Sequence, residues 1–156
     1  MERTLVLLKP DAVQRGLLGE ILGRFEKKGL KVVGMKMMQL TDDLLNEHYS
    51  HLNHLPFFGD IKRFMMLAPV IALCLEGVDC VETVRRLCGP TLAREATPGT
   101  IRGDFGMSIQ ANLVHASDSA QTAEAEVPRF FKDEELFDYE WIQLRFLYTK
   151  KELGQE

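Results

Sequence analysis

The nine residues "RTLVLLKPD" (3–11) decide how the rest of this chain is read. Leu5 to Leu8 make a compact apolar run, and Lys9-Pro10 stops it, so the stretch reads as a buried strand. Working outward, "LLGEILGRFEKKG" (17–29) carries Leu18, Ile21, Leu22 and Phe25 at helical spacing and ends in Gly29. "LKVVGMKMMQL" (30–40) is a second strand, and Thr41 or Asp42 caps a helix over 42–52. Residues 56–66, with Pro56 at their start, form another short helix. "APVIALCLEG" (68–77) is a strand and 79–89 a helix closed by Gly89. The stretch 89–106 has little periodicity and holds Gly89, Gly99, Gly103 and Gly106, so it reads as a long loop. "SIQANLVHA" (108–116) returns to strand, and a helix over 119–131 follows, with Asp118 as N-cap and Gln121 at the capping-box position.

The order β-α-β-α-α-β-α-loop-β-α predicts an α/β (α+β) sandwich. Its expected form is a ferredoxin-like βαββαβ arrangement: a four-stranded antiparallel sheet covered by helices, set on one face. One domain over 1–156 is expected, with a divergent tail at 141–156. The tail is apolar at Trp141, Ile142, Leu144, Phe146 and Leu147 and is expected to pack on something, with its last residues fraying.

Bulk properties exclude several classes. Hydrophobic residues make up 46% and charged residues 27%, a balance that supports a globular core. A net charge of −4 argues against a general nucleic-acid coat. No apolar run is long enough to span a membrane, and the N-terminus lacks signal-peptide features. Cys74, Cys80 and Cys88 show no C-x-x-C spacing, which suits reduced thiols in the cytoplasm.

Neither a P-loop nor a G-x-G-x-x-G fingerprint is present, so a phosphate site here must be built from side chains. Lys9 leaves a buried strand, which suits either a ligand-facing charge or a solvated strand end. Arg85 and Arg86 lie late in a helix, where cations complement the dipole. Thr91, Thr100 and Arg102 sit in the Gly-rich loop, where Arg102 either clamps phosphate oxygens or faces solvent. His48, His51 and His54 suggest a metal cage, but each step of three residues drifts by about 60° on a helix, so the outer two diverge. His115 ends a strand just before a helix N-terminus, a junction that suits an anion site. It reads either as a satisfied core residue or as a nucleophile whose tautomer a carboxylate such as Glu124 or Glu126 fixes.

"LLKPDAVQRGLLGEI", "EHY", "PFF", "PGTIRGDF" and "NLVHASDS" occur in this order. Together they closely resemble the nucleoside diphosphate kinase family, from about Arg3 to Tyr139. The resemblance implies phosphoryl transfer from a nucleoside triphosphate to a nucleoside diphosphate through a phosphohistidine, with ping-pong kinetics. His115 is then the nucleophile, attacking through Nδ1, with Lys9 and Tyr49 at the γ-phosphate and Ser117 and Glu126 holding the ring. Arg85, Thr91, Arg102 and Asn112 match the positions that grip phosphates and ribose. Phe57 matches the base-stacking aromatic, with Ile61 and Ile109 beside it. The resemblance further implies Mg2+ carried on the nucleotide phosphates without dedicated protein ligands, low base and sugar selectivity, and a homo-oligomer, a hexamer over a tetramer. No membrane or dedicated nucleic-acid partner is expected. Three departures stand out: Ala116 where the family has Gly, the Leu92-Ala93 loop, and Pro128 inside the last helix, where a kink or early stop is expected.

Overall fold

The computed structural model describes residues 1–155. Four strands form one antiparallel sheet in the order β2-β3-β1-β4: β1 (Glu2–Leu8), β2 (Lys31–Met38), β3 (Val70–Gly77) and β4 (Val114–Ala116). The helices are α1 (Pro10–Gln14), α2 (Leu18–Lys28), α3 (Asp42–His48), α4 (Phe58–Met65), α5 (Cys80–Cys88), α6 (Ile101–Phe105), α7 (Ala120–Phe130) and α8 (Leu144–Leu147). This is the expected four-stranded α+β sheet, with β1 in its interior.

The helices cover both faces, not one. Alternate residues of β1 point to opposite sides, and Leu5 to Leu8 are all buried. Val6 and Leu8 pack with Ile21 and Phe25 of α2 and with Val84 and Cys88 of α5. Leu5 and Leu7 pack with Leu45 of α3, Met65 of α4, and Val127 and Phe130 of α7. A strand buried on both faces carries no period-two signal, so its sequence does not announce a second helical layer.

Local chemistry explains the helix ends. Gly29 closes α2 at φ 101°, a left-handed conformation that costs glycine nothing. Thr41, not Asp42, caps α3, its hydroxyl accepting from the Leu44 N–H at 3.2 Å. The helix expected over 42–52 stops at His48 and gives way to a 3-10 turn at Ser50–Leu52. α7 is capped by Ser119, whose Oγ accepts from the Thr122 N–H at 3.1 Å. The expected cap Asp118 instead accepts from Arg85, and with Ser119 as cap the capping-box position moves from Gln121 to Thr122. Pro128 neither stops α7 nor ends it early; the helix runs on to Phe130 with Pro128 exposed on its outer side.

The strand expected over 108–116 shortens to Val114–Ala116. In-register pairing with β1 is confined to these residues, because Lys9-Pro10 turns the chain into α1. The residues before β4 fold on themselves: Ser108 Oγ accepts from the N–H groups of Gln110 and Ala111 at 3.1 and 3.2 Å. The long loop is also more ordered than its composition implies. It contains α6, a 3-10 turn at Ala93–Glu95, and Gly103, where any Cβ would collide with the Thr97 carbonyl.

The C-terminal segment packs back on the body. Phe137 N–H donates to the Val33 carbonyl at 2.8 Å, and the buried Lys31 ammonium holds the Tyr139 carbonyl at 2.7 Å. Further on, Leu147 covers Gly29, and the Val78 N–H donates to the Tyr148 hydroxyl at 3.3 Å. The apolar residues of the tail stay largely uncovered: Ile142 and Phe146 are exposed.

Candidate active site

β4 is short but places its middle residue decisively. Val114 and Ala116 join the α5-side core, so alternation sends His115 to the opposite face, toward α7. There Glu126, buried on the inner side of α7, meets it at 2.6 Å from the imidazole Nε2. A carboxylate accepts only, so the ring carries its proton on Nε2 and Nδ1 keeps a free lone pair.

Behind this pair lies His48. Its ring stands edge-on to His115 with centroids 4.6 Å apart, and its Nδ1 is 3.4 Å from Glu126 Oε2. The same Nδ1 lies 3.2 Å from Nη1 of Arg129. Arginine can only donate, so this nitrogen accepts and the His48 proton sits on Nε2. Burial pushes His48 down to about 2, and His115, Arg129 and His51 add to the effect, so His48 is neutral. Its contact with Glu126 is therefore not an ion pair, and the carboxylate is left to His115. In the sequence His48 stands in a three-histidine set and in the motif "EHY", and neither gives it a role of its own. His51 and His54 are exposed, and the burial of His48 separates it from them.

Among the described residues one donor cluster remains: His48, His115 and Glu126 offer ligand atoms within 4.8 Å of one another. Two nitrogens and one oxygen do not suit a hard cation such as Mg2+, which takes oxygen ligands. The Arg129 guanidinium also occupies His48 Nδ1.

A cleft of about 800 Å³ opens in front of His115. Lys9, Tyr49, Phe57, Ile61, Arg85, Thr91, Arg102, Ile109, Asn112 and His115 all line it. Lys9 Nζ donates to the Gln110 carbonyl at 2.6 Å and to Asn112 Oδ1 at 2.9 Å. Burial lowers the Lys9 pKa to about 8, with Asp11 opposing the shift and Arg102 reinforcing it. Asn112 is buried, and its amide nitrogen donates to the Thr91 and Ile109 carbonyls at 2.9 and 3.0 Å. It organises Lys9 and both loops. Arg102 reaches three carbonyls, those of Asn112, Gly89 and Val114, at 3.3, 2.7 and 2.6 Å. These bonds fix the guanidinium at the cleft wall. Arg85 is more exposed and donates to Asp118 at 2.8 Å. Tyr49 stands 6.2 Å from His115 between ring centroids, and burial raises its phenol pKa, so it stays protonated.

The outer cleft is apolar. Phe57 is 50% exposed and Ile109 62% exposed, and both line the cleft together with Ile61 and Phe64. Such exposed apolar lips suit a flat ligand ring.

Ser117 departs from expectation. It is fully buried and its hydroxyl has no hydrogen-bond partner among the described residues, so it makes no bond to His115 or Glu126. The backbone just before the histidine is strained. Leu113 has φ 75°, and the Val114 N–H donates to the Asn112 carbonyl at 2.9 Å, a three-residue turn that non-glycine residues rarely adopt. Asp11 and Lys9 hold that turn: the Leu113 N–H donates to Asp11 Oδ2 at 3.0 Å and its carbonyl accepts from the Lys9 N–H at 2.8 Å. Ala116 packs in the α5-side core, where its methyl fits. Ala93, in the altered loop, is likewise buried.

The family model for nucleoside diphosphate kinase matches residues 2–136. The chain belongs to the nucleoside diphosphate kinase family. A nucleoside diphosphate kinase of Parabacteroides distasonis is 60% identical over 152 residues, covering 97% of this chain and 99% of its own. Among solved structures, a halophilic nucleoside diphosphate kinase from Halobacterium salinarum in complex with CDP superposes with a TM-score of 0.93 at 44% identity, covering 95% of this chain and 99% of its own. A nucleoside diphosphate kinase family protein from Babesia bovis gives 0.92 at 43% identity, covering 95% and 100%. The chain is thus a phosphotransferase acting on nucleotides. Among the described residues, no helix is long and apolar enough to cross a membrane.

Proposed function

We propose that His115 carries the phosphoryl group between nucleotides, one cleft serving donor and acceptor in turn. The observation that carries this reading is the 2.6 Å contact between His115 Nε2 and Glu126, which leaves Nδ1 as the free nucleophile. In the first half-reaction the Nδ1 lone pair attacks the γ-phosphorus of a nucleoside triphosphate. The bond from that phosphorus to the β,γ-bridging oxygen breaks, and the diphosphate leaves with its electrons. In the second, a terminal β-phosphate oxygen of another nucleoside diphosphate attacks the phosphohistidine, the N–P bond breaks, and the imidazole regains its lone pair. Glu126 offsets positive charge on the ring at each stage. Phosphoryl transfer of this kind needs chiefly alignment and charge stabilisation.

Lys9, Arg85 and Arg102 supply cations along the cleft, Thr91 lies at its rim, and Asn112 holds Lys9 in register. Phe57, Ile61 and Ile109 take the base by stacking and apolar contact. Such contact reads no base edge, which supports low base selectivity. Tyr49 packs beside His115 as a protonated phenol. Ser117 follows β4 directly, and its N–H donates to the Leu5 carbonyl at 3.2 Å, which ties the strand end next to His115 to β1. When present, Mg2+ neutralises charge on the nucleotide phosphates; the nitrogen-rich donor cluster behind His115 favours its arrival on the nucleotide.

The reading extends to one kinase unit in the cytoplasm, assembled as a homo-oligomer, a hexamer by preference. Met35 and Met37, 58% and 57% exposed on the edge strand β2, support self-association. The test of the mechanism is labelling. Incubation with γ-labelled ATP and magnesium is expected to give an acid-labile adduct that leaves as a triphosphate when a nucleoside diphosphate is added. Labelling that survives His115→Gln defeats the proposal.

A further inference from the structure

The two lips of the base slot belong to different parts of the chain. Phe57 and Ile61 sit at the start of α4, and Ile109 sits in the loop 106–113 before β4. Among the described residues a single hydrogen bond joins α4 and its flanking residues to that loop: Gln110 Nε2 donates to the Asp60 carbonyl at 3.0 Å. The arm that makes it starts from a fixed base. Gln110 N–H donates to Ser108 Oγ at 3.1 Å, and the Gln110 carbonyl accepts from Lys9 Nζ at 2.6 Å. One residue therefore touches the far lip with its side chain and the phosphate-facing lysine with its backbone.

We propose that Gln110 is a positioning residue for nucleotide binding: its amide holds the Phe57 lip at stacking distance from Ile109, in register with Lys9. The proposal rests on reading the Phe57–Ile109 slot as the base site. Without the amide, α4 keeps its buried anchors Phe58 and Met65, but its outer edge loses its tie across the cleft. The nucleotide must then order that lip as it binds. Gln110 is half-buried at the cleft wall, so removing its side chain leaves no core cavity.

The test compares Gln110→Glu, Gln110→Ala and Phe57→Ala with the unaltered full chain. Glutamate matches glutamine in shape but has no N–H to donate at neutral pH, so it separates the hydrogen bond from packing. Steady-state kinetics with one purine and one pyrimidine diphosphate are expected to show KM raised about three- to tenfold in both Gln110 variants. The same measurements should leave kcat within about twofold, because the carbonyl that holds Lys9 is untouched. Hydrogen exchange on the nucleotide-free protein should show faster exchange over 57–66 in both variants, at an unchanged melting temperature. Unchanged KM and exchange in Gln110→Glu overturn the proposal, as does a fall in kcat at constant KM. If Phe57→Ala raises KM while Gln110→Glu does not, this inference alone fails. If Phe57→Ala leaves KM unchanged, the reading of the slot fails and the inference with it.

Discussion

Glu126 Oε2 lies 2.6 Å from Nε2 of His115, and this contact decides which nitrogen of the ring is free. A buried carboxylate fixes the tautomer and points Nδ1 into the cleft. Glu126→Gln keeps the shape but removes the charge and allows the amide to flip. The rate of phosphohistidine formation, measured by rapid quench, is expected to fall roughly 10- to 100-fold, by analogy with carboxylates that orient reactive or metal-bound imidazoles. Equal rates for Glu126→Gln and the unaltered chain rule out this orienting role.

Lys9 gives the activity an alkaline limit. Burial lowers its pKa to about 8, so it is charged below that pH and neutral above it. A charged Lys9 attracts phosphate and a neutral one does not. The value of kcat/KM, which reports the free enzyme, is therefore expected to fall as pH rises through about 8. Lys9→Arg keeps its charge throughout this range and should abolish that limb, measured by pH profiles with one nucleotide pair.

Leu113 holds φ 75° while its side chain is fully buried. At an ordinary buried position glycine is less stable than alanine by roughly 0.5–1 kcal/mol. Here the positive φ penalises alanine by about 1–2 kcal/mol. Leu113→Gly is therefore expected to equal or exceed Leu113→Ala in unfolding free energy, although both lose to leucine. Urea titration of the two variants checks the order.

Arg102 is a structural tie as well as a cleft cation. Arg102→Ala strips the Asn112, Gly89 and Val114 carbonyls of a charged donor. A loss of about 2–4 kcal/mol is expected in nucleotide-free denaturation. Arg102→Lys should recover only part of it, because an ammonium lacks the planar fork that reaches all three.

Pro128 lies inside α7 two residues after Glu126, on the exposed side of the helix. Pro128→Ala restores an N–H that the Glu124 carbonyl accepts in a regular helix. A gain of about 1–2 kcal/mol is expected, less than the full helix-interior penalty because proline also restricts the unfolded chain. Thermal melting measures it, and unchanged labelling of His115 would show that Glu126 is placed by packing rather than by the proline.

Much of this was legible from local order. The apolar run before Lys9-Pro10, the helical spacing ending at Gly29, and the Gly89 stop each depend on residues within a few positions of one another. They fix strands and helices wherever the chain goes. The strand end followed by a helix cap in "NLVHASDS" is likewise a local pattern; it places His115 at a junction, and the family resemblance singles it out as the nucleophile. Where competing local choices exist, the sequence is less decisive: Thr41 and Ser119 won their caps, while Asp118 was drawn away to Arg85.

Other features depend on what comes together in space. The second helical layer was hidden because Leu5 to Leu8 are buried on both sides and so lack alternation. His48 reads as one of three surface histidines until the packing of α3 against α7 buries it beside Glu126. Gln110 reads as a strand residue until the strand shortens to Val114–Ala116 and α4 presents the Asp60 carbonyl to its amide. By itself the sequence determined most of the elements and, through motifs in order along the chain, the family resemblance that singles out His115, since both depend on residues close in sequence or on their order. Only the tertiary structure supplied the 2.6 Å contact that leaves Nδ1 of His115 free, and it alone decided which groups Arg102 and Asn112 hold and what ties the lips of the cleft together. Those outcomes turn on distances between residues far apart in sequence, and packing alone sets such distances.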